Sequence, residues 1–114
     1  MINCLFCKIT QGEITTKILH EDDKVIAFKD IAPQAPLHIV IIPRKHIATL
    51  NDLATEDTYT VGQMIQVARY LAKENGYAND GYRLVMNCNK QGGQMIFHLH
   101  LHLLAGRQLD WPPG

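Results

Sequence analysis

Histidine alternates with apolar residues in one stretch of the chain, FHLHLHLL at residues 97–104. Side chains alternate between the two faces of a β-strand, so this spacing predicts a strand with His98, His100 and His102 on one face. The other face then carries core residues, namely Phe97, Leu99, Leu101 and Leu103. Three neighbouring imidazoles can divide their protons at neutral pH, with some rings neutral and others cationic. The histidine face is therefore the first candidate for a functional site.

Imidazoles grouped in this way suit reactions at phosphorus. A neutral imidazole can attack phosphorus and form a phosphohistidine, which splits one difficult displacement into two easier steps. A cationic neighbour can protonate the leaving group or stabilise the phosphate oxygens. A backbone carbonyl behind the nucleophile would fix its tautomer. Two alternatives remain from the pattern alone: an exposed, histidine-rich strand face, and a catalytic zinc site.

The charges around the histidines favour an anion over a metal. Residues 81–109 contain no Asp or Glu, whereas they include Arg83, Lys90 and Arg107. Catalytic zinc sites usually keep a carboxylate nearby as a base or a ligand partner. A phosphate group, in contrast, is repelled by a carboxylate. The distribution therefore indicates anion binding.

The loop before the histidines has features of a phosphate-binding loop. Gly92 and Gly93 allow the backbone to approach a ligand closely and to turn N–H groups toward an anion. Asn87 and Gln94 add amide donors. A plain β-turn explains the same residues equally well, so this loop supports the anion hypothesis only beside the histidines.

The whole chain has the composition of a globular protein. It has 114 residues, of which 46% are hydrophobic and 19% charged, and this length predicts a single domain over residues 1–114. The 11 basic and 11 acidic residues cancel, so nucleic acid is not an expected partner. Neither a membrane span nor a secretory signal is predicted, since the apolar runs are short and the start lacks a basic leader. Three cysteines are too few for a disulfide scaffold, which predicts a reduced, cytoplasmic protein.

Helical and strand patterns surround the histidine stretch. A short helix is predicted over residues 4–11, ending before Gly12, and a long helix over residues 55–75, with Thr55 as its N-cap. The core stripe of the long helix comprises Val61, Met64, Ile65, Ala68, Leu71 and Ala72. Strands are predicted over residues 17–20, 24–28, 37–42, 82–86 and 96–104, with loops over 30–36 and 87–93. The fold class is therefore α+β with a largely antiparallel sheet.

Cys4 and Cys7 form a Cys-x-x-Cys pair. Two thiolates at this spacing can occupy one side of a tetrahedral zinc site, and His46 is a free candidate for a further ligand. The alternative is a pair of half-buried, reduced cysteines on a short helix. A redox role is not favoured, because no strand precedes the pair to place it at the start of a βαβ helix.

Several segments together resemble the histidine triad (HIT) family, and within it the branch of histidine triad nucleotide-binding proteins. The matching segments are DIAPQAP at residues 30–36, IPRKH at 42–46, GGQ at 92–94, HLHLHLL at 98–104, and GR and WPPG within 106–114. The likeness covers nearly the whole chain. It implies a HIT-like α+β fold that forms a homodimer, with the tail around Trp111 reaching the site of the partner subunit.

The resemblance implies an enzyme that hydrolyses purine nucleoside phosphoramidates, such as AMP joined to an amine, through a nucleotidyl-histidine intermediate. His100 would be the nucleophile and His102 would bind phosphate oxygens. His38 would complete a proton relay, and His98 would orient the ring of the nucleophile. Catalysis would require no cofactor.

The resemblance also implies the nucleotide-binding residues. Asp30 would hold the ribose hydroxyls. The base would lie against Leu5, Phe6, Ile9 and Ile31. The phosphate would contact Asn87, Gly93, Gln94 and the backbone of Met95, beside His100 and His102. Many relatives have serine where this chain has Met95, and methionine has no hydrogen-bond donor, so the rate or the leaving-group preference is expected to differ.

Zinc-bearing relatives, including galactose-phosphate uridylyltransferase, bind their metal through the first histidine of the motif, which matches His98. The resemblance therefore implies a structural zinc site formed by Cys4, Cys7, His46 and His98. Three other functions remain open at this point. They are a purine-nucleotide-binding regulatory module with incidental hydrolysis, a dinucleoside polyphosphate hydrolase, which the tail disfavours, and a zinc-organised interaction domain.

Overall fold

The computed structural model describes residues 4–114. The predicted absence of a secretory signal concerns the beginning of the sequence, and residues 1–3 lie outside the described range. The helices are α1 (Leu5–Thr10) and α2 (Thr58–Glu74), and the strands are β1 (Ile18–Glu21), β2 (Val25–Lys29), β3 (Leu37–Pro43), β4 (Tyr82–Val85) and β5 (Leu101–Ala105). The strands form one antiparallel sheet in the order β1-β2-β3-β5-β4. This architecture confirms the predicted α+β class. Over residues 4–114 no helix combines the length and the apolar character that a membrane crossing requires.

Strand β3 is the centre of the fold, and all seven of its residues are buried. Its side chains alternate between two hydrophobic clusters, because successive residues of a strand point to opposite faces. Ile39 and Ile41 join the cluster beneath α2, whereas Val40 and Ile42 join a smaller cluster with Phe6 of α1. The prediction of a central strand that is apolar on both faces is confirmed.

The prediction that Thr55 caps the long helix is wrong. Residues 55–57 form a 3-10 turn, and α2 begins at Thr58. The reason is Asp57, whose carboxylate accepts hydrogen bonds from the Ala54 backbone N–H at 2.9 Å and from the Lys45 ammonium at 2.8 Å. These bonds hold the chain in a tight turn ahead of the helix.

The core stripe of α2 also differs from the predicted one, since it includes Val67, which the prediction omits, and Val61 is only partly buried against it. Its buried residues are Met64, Val67, Ala68, Leu71 and Ala72. This set follows the i, i+3, i+4, i+7, i+8 spacing of a single helix face. Ile65 lies to one side of that face and is 46% exposed, so its predicted core position is wrong.

The predicted strand over residues 96–104 is only half formed. Strand β5 begins at Leu101, opposite Ile41 of β3. Continuing this register would place Pro43 opposite Leu99, and proline has no N–H to donate to the ladder. The Leu99 N–H instead donates to the Ile47 carbonyl at 2.6 Å. Leu99, Leu101 and Leu103 are buried as predicted, but Phe97 is 50% exposed and does not belong to the core.

The remaining local predictions are confirmed. The first two strands pair as a hairpin, residues 30–36 form a loop, and the short helix lies within residues 4–11. Gly12 follows this helix with a φ of 75°, a left-handed conformation that glycine adopts without steric cost.

Candidate active site

Four imidazoles gather on the side of the sheet away from α2. His102 lies opposite Val40, so its side chain shares the face of Val40 and His38. The ring centroids of His100 and His102 are 4.9 Å apart, and those of His38 and His102 are 5.1 Å apart. Phe6 packs edge-on against both His98 and His100. The three histidines of the motif therefore share one side, although His98 and His100 precede the strand.

Burial differs along the three motif histidines. His98 is 0% exposed and His100 is 8% exposed, whereas His102 is partly exposed. The innermost ring is therefore suited to structural contacts and the outer two to contact with a ligand.

A main-chain carbonyl fixes the tautomer of His100. Its Nδ1 lies 2.8 Å from the carbonyl oxygen of His98. A carbonyl can only accept, so Nδ1 carries the proton and Nε2 has a free lone pair. This is the arrangement that an imidazole nucleophile requires, and the carbonyl comes from the first histidine of the motif.

A second hydrogen-bonded chain fixes the tautomers of His38 and His102. The Gln34 backbone N–H donates to His38 Nδ1 at 3.0 Å, so the proton of His38 is on Nε2. His38 Nε2 then donates to His102 Nδ1 at 2.9 Å, which leaves the proton of His102 on its Nε2. His102 therefore presents an N–H donor.

His38 and His102 are both neutral near pH 7. Burial lowers the pKa of His38 below its usual value, against the opposing effect of Asp30. Burial, followed by the proximity of His100 and His38, lowers the pKa of His102 to about 4. The expected cationic neighbour of the nucleophile is thus a neutral hydrogen-bond donor.

Asp30 lies beside the hydrogen-bonded pair of His38 and His102, and its two carboxylate oxygens have different neighbours. Its Oδ1 accepts a hydrogen bond from the Ala32 backbone N–H at 2.8 Å, which shapes the loop after β2. Its Oδ2 lies 3.5 Å from His38 Nε2. The carboxylate is partly exposed, so it is within reach of a ligand at the mouth of the site.

The residues expected to contact the base differ widely in exposure. Phe6 is buried and Ile9 is half-buried, and both belong to the smaller core cluster. Ile31 is 96% exposed. Leu5 lines a cavity of about 480 Å³ together with Met95 and Phe97. The predicted base-binding role of these residues stays a prediction.

The loop before the histidines is held by Gln94, which is buried. Its side-chain amide donates to the carbonyls of Ala48 at 2.8 Å and Ile96 at 3.0 Å, and its oxygen accepts from the Asn89 N–H at 2.9 Å. The backbone N–H groups of Gly93 and Gln94 also donate within the loop. Gln94 therefore organises the loop, a role that sequence reasoning missed, and its predicted contact with phosphate stays a prediction.

Close packing explains why Gly92 is present in this loop. Asn87, at its start, is half-buried. A Cβ atom at position 92 would lie 2.5 Å from the carbonyl oxygen of Cys88, which is rigid backbone. Met95 follows the loop and is 87% exposed. Its side chain offers no hydrogen-bond donor.

A separate cluster, here called the Cys/His cluster, comprises Cys4, Cys7, His46 and His98. Their ligand atoms all lie within 4.8 Å of one another. Cys4 caps α1, and its sulfur accepts a hydrogen bond from the Cys7 N–H at 3.2 Å. His98 Nε2 donates to the Pro43 carbonyl at 2.8 Å, so its Nδ1 lone pair faces the cluster. The sequence anticipated these four residues but not the Pro43 carbonyl, since no side-chain pattern reveals a main-chain partner.

The spacing of the Cys/His cluster fits a tetrahedral zinc ion. Zinc–nitrogen bonds of about 2.0–2.1 Å and zinc–sulfur bonds of about 2.3 Å separate neighbouring ligands by roughly 3.3 Å for two nitrogens and roughly 3.5 Å for nitrogen and sulfur. The two Nδ1 atoms of His46 and His98 are 3.3 Å apart. The Nδ1 of His98 lies 3.4 Å from Cys4 Sγ and 3.5 Å from Cys7 Sγ. The donor set and its geometry therefore suit a metal ion.

The group formed by Asp30, His38 and His102 also brings three potential ligands together. Its two nitrogens are only 2.9 Å apart, which is a hydrogen-bond length and shorter than the separation of two zinc ligands. This group is therefore a proton-sharing chain rather than a second metal site.

Burial, and then the neighbouring Cys4 sulfur, raise the pKa of Cys7 to about 11. The thiol therefore stays protonated without a cation. Because a metal ion binds the thiolate, metal binding at this cluster would release protons.

The comparisons of this chain with known proteins all indicate the same family. The family model for "Scavenger mRNA decapping enzyme C-term binding" matches residues 3–109. The purine nucleoside phosphoramidase of Escherichia coli K12 is 51% identical over 105 residues, which is 92% of this chain and 88% of that protein. A HIT family hydrolase from Legionella pneumophila has a crystal structure that superposes with a TM-score of 0.96 at 54% identity, covering 98% of this chain and 100% of that one. A histidine triad protein from Clostridium difficile gives a TM-score of 0.92 at 42% identity, covering 96% of each chain. Together with the clustered motif histidines, these similarities establish that the chain belongs to the histidine triad family.

Proposed function

We propose that this protein hydrolyses purine nucleoside phosphoramidates through a covalent nucleotidyl intermediate on His100. The observation that carries the proposal is the hydrogen bond from His100 Nδ1 to the His98 carbonyl. In the neutral imidazole this bond places the proton on Nδ1 and leaves the Nε2 lone pair as the nucleophile. The 51% identity to the Escherichia coli purine nucleoside phosphoramidase supports the substrate class.

In the first step, Nε2 of His100 attacks phosphorus and the phosphorus–nitrogen bond of the substrate breaks. The amine leaves with one proton from solvent, and the nucleotidylated imidazole carries a positive charge. Its Nδ1–H stays hydrogen-bonded to the His98 carbonyl, which stabilises that charge. The Nε2–H of His102 is free to donate to a phosphoryl oxygen, since its Nδ1 is occupied by His38.

In the second step, water attacks phosphorus and the bond to His100 breaks. The product is a nucleoside monophosphate, the imidazole returns to its neutral form, and one proton leaves to solvent. His38 keeps His102 in the donor tautomer throughout, because Gln34 holds the other nitrogen of His38. Asp30 would accept hydrogen bonds from the ribose hydroxyls, and the partial exposure of its carboxylate beside His38 supports this role.

The Cys/His cluster is proposed to hold a structural zinc ion, which would cross-link α1 to the segments after β3 and before β5. The ligands would be Cys4, Cys7, His46 and His98. The His98–Pro43 hydrogen bond supports this assignment, because the second nitrogen of a metal-binding histidine usually donates to such a partner.

A homodimer is proposed as the working form. Strand β4 lies at one edge of the sheet, and a free edge presents unpaired backbone groups that a second copy can satisfy. Trp111 in the tail is 82% exposed, and a large aromatic side chain gains much from burial at an interface.

The test of the reaction is mass spectrometry after brief mixing of the enzyme with an AMP–amine phosphoramidate, without acid quenching. We expect a nucleotidyl adduct on the peptide that contains His100. The variant His100→Ala should lose turnover but still bind AMP, and His20→Ala, which removes an imidazole from the distant hairpin, should retain turnover. Undiminished hydrolysis by His100→Ala would contradict the mechanism. Tight AMP binding without an adduct in the wild type would favour a regulatory nucleotide-binding protein.

A further inference from the structure

We infer that the Cys/His cluster, through His98, holds the nucleophile in its reactive orientation. This inference rests on the proposed role of His100 and on the proposed metal at the cluster. It assigns positioning roles to Cys4, Cys7 and His46, which lie outside the hydrogen-bonded chain of the active site.

The first observation is that the main chain at the nucleophile is not paired with another strand of the sheet. Strand β5 begins at Leu101, so neither His98 nor His100 is paired with a neighbouring strand. Segments that lack such hydrogen bonds open locally more readily than a paired strand. Something other than the sheet must therefore hold the main chain at the nucleophile.

The second observation is that His98 connects the two sites directly. Its Nδ1 faces the sulfurs of Cys4 and Cys7 at 3.4 and 3.5 Å, and its Nε2 donates to the Pro43 carbonyl. Its own carbonyl accepts the Nδ1–H of His100 at 2.8 Å. A ring that is fixed at both nitrogens restricts the direction of the carbonyl of the same residue. The cluster thereby controls the bond that fixes the tautomer of His100.

The third observation concerns α1, which carries both cysteines. Phe6 lies between them in sequence, is 5% exposed, and contacts His98 and His100 with ring centroids 6.0 and 5.2 Å apart. A metal ion that joins Cys4 and Cys7 to His98 would thus also hold Phe6 against the nucleophile. The ring of His100 is then restrained on one side by a carbonyl and on another by an aromatic edge.

The experiment compares the zinc-loaded protein, the same protein after chelation, and the variant His46→Gln. His46 is chosen because it joins the cluster without contacting His100. The control is His20→Gln, which removes an imidazole from the exposed hairpin. Four quantities are measured: turnover, AMP affinity, the tautomer of His100 by ¹⁵N NMR of its imidazole, and hydrogen exchange of the Leu99 and Ile41 amides.

We expect loss of the metal to lower kcat by a factor on the order of 10 to 100, the range found when partners of metal ligands are removed. AMP affinity should change by less than about twofold, since the contacts to the nucleotide remain. His100 should show a mixture of tautomers, and the Leu99 amide should exchange faster while Ile41 stays protected. Adding zinc back to the chelated wild type should reverse all of these changes, and His20→Gln should match the wild type.

Two results would overturn the inference. In the first, His100 keeps one tautomer and kcat is unchanged after chelation or zinc addition. In the second, the Leu99 and Ile41 amides lose protection together, because the cluster then only maintains the fold. Failure of the proposed function would look different: the zinc-loaded wild type would show the single His100 tautomer and its response to zinc, but no turnover of any phosphoramidate.

Discussion

At the scale of single residues, burial makes the three motif histidines chemically different although the sequence presents them alike. The side chain of His98 is fully buried, and both of its ring nitrogens have partners. His100 has one ring nitrogen hydrogen-bonded to a carbonyl and the other free. His102 has a pKa of about 4, because it is buried beside two other imidazoles. The alternation of the motif predicts their common side, but only their neighbours in space determine the protonation of each ring.

His102 should contribute to acid sensitivity. Its pKa is about 4 in the folded protein against 6.5 for an unperturbed histidine. Between these values the unfolded chain binds the proton and the folded protein does not, so stability falls as pH falls from about 6.5 to about 4, by at most about 1.4 kcal/mol per pH unit for this one residue. His102→Gln keeps a hydrogen-bond acceptor for His38 and removes the titration.

Urea denaturation at a series of pH values from 7 to 4 measures this effect. We expect the free energy of unfolding of His102→Gln to decline less steeply with falling pH than that of the wild type. The comparison isolates position 102, since every other titratable group is common to the two proteins. Equal slopes would mean that His102 titrates normally in the fold.

Met95 should limit the departure of poor leaving groups. Its side chain is 87% exposed and has no hydrogen-bond donor, whereas a serine at this place would supply a hydroxyl. Met95→Ser should raise kcat most for substrates whose amines leave slowly, by less than the roughly 100-fold that a well-placed general acid provides. The measurement is kcat for a series of phosphoramidates with amines of graded basicity. A uniform change across the series would show that position 95 acts on binding and not on the leaving nitrogen.

At the scale of elements, periodic patterns predicted most of the fold and failed where tertiary contacts determine where an element begins. The sequence of β3 and the core residues of α2 are periodic enough to be recognised. The start of β5 depends on Pro43, which cannot donate to the ladder and whose carbonyl accepts from His98. The start of α2 depends on the bonds of Asp57 with Ala54 and Lys45. The bond between Asp57 and Ala54 is local but has no periodic signature, and the contacts of Asp57 with Lys45 and of Pro43 with His98 join residues that lie 12 and 55 positions apart.

Gly92 should be essential to the loop before the histidines. A Cβ at this position would lie 2.5 Å from the Cys88 oxygen and 2.8 Å from the Cys88 nitrogen, and neither atom can move independently of the backbone. Gly92→Ala should therefore destabilise the protein by about 1–3 kcal/mol, as expected for overpacking. It should also weaken nucleotide binding, because the loop must shift.

Gly62 provides the matched control, since its Cβ would meet nothing within 4 Å and it lies inside α2. Gly62→Ala should stabilise the protein by about 0.5–1 kcal/mol, because alanine favours the helix. Urea denaturation of both variants gives the comparison. If Gly92→Ala were as stable as the wild type, the loop would have to accommodate a side chain that its present conformation excludes.

At the scale of the whole molecule, the candidate site draws its residues from distant parts of the chain, and the sheet brings them together. His38 and His102 are 64 residues apart in sequence yet hydrogen-bonded, and Cys7 and His98 are 91 residues apart. Patterns in the sequence gave the types of residue, and the family resemblance gave their grouping. The main-chain partners at Gln34 and Pro43 emerged only from the packed structure, since every residue offers the same backbone groups.

The proposed dimer predicts complementation between two defective subunits. Trp111 is 82% exposed within its own subunit, so Trp111→Ala should change the stability of the folded subunit by no more than about 0.5 kcal/mol, and any larger loss would come from the interface. If the tail completes the site of the partner subunit, Trp111→Ala should nevertheless lower turnover. In a mixed dimer with His100→Ala, the intact nucleophile of one subunit would face the intact Trp111 of the other, which restores one complete site.

Turnover per intact His100 is therefore measured for Trp111→Ala alone and after subunit exchange with an excess of His100→Ala. We expect turnover to rise toward the wild-type value as the excess increases, while His100→Ala alone stays inactive. Sedimentation at each ratio verifies that the mixture is dimeric. An unchanged rate in dimeric mixtures would place the action of Trp111 within its own subunit. A monomer at all concentrations would remove the basis for a shared site, because no partner would then be present to receive the tail.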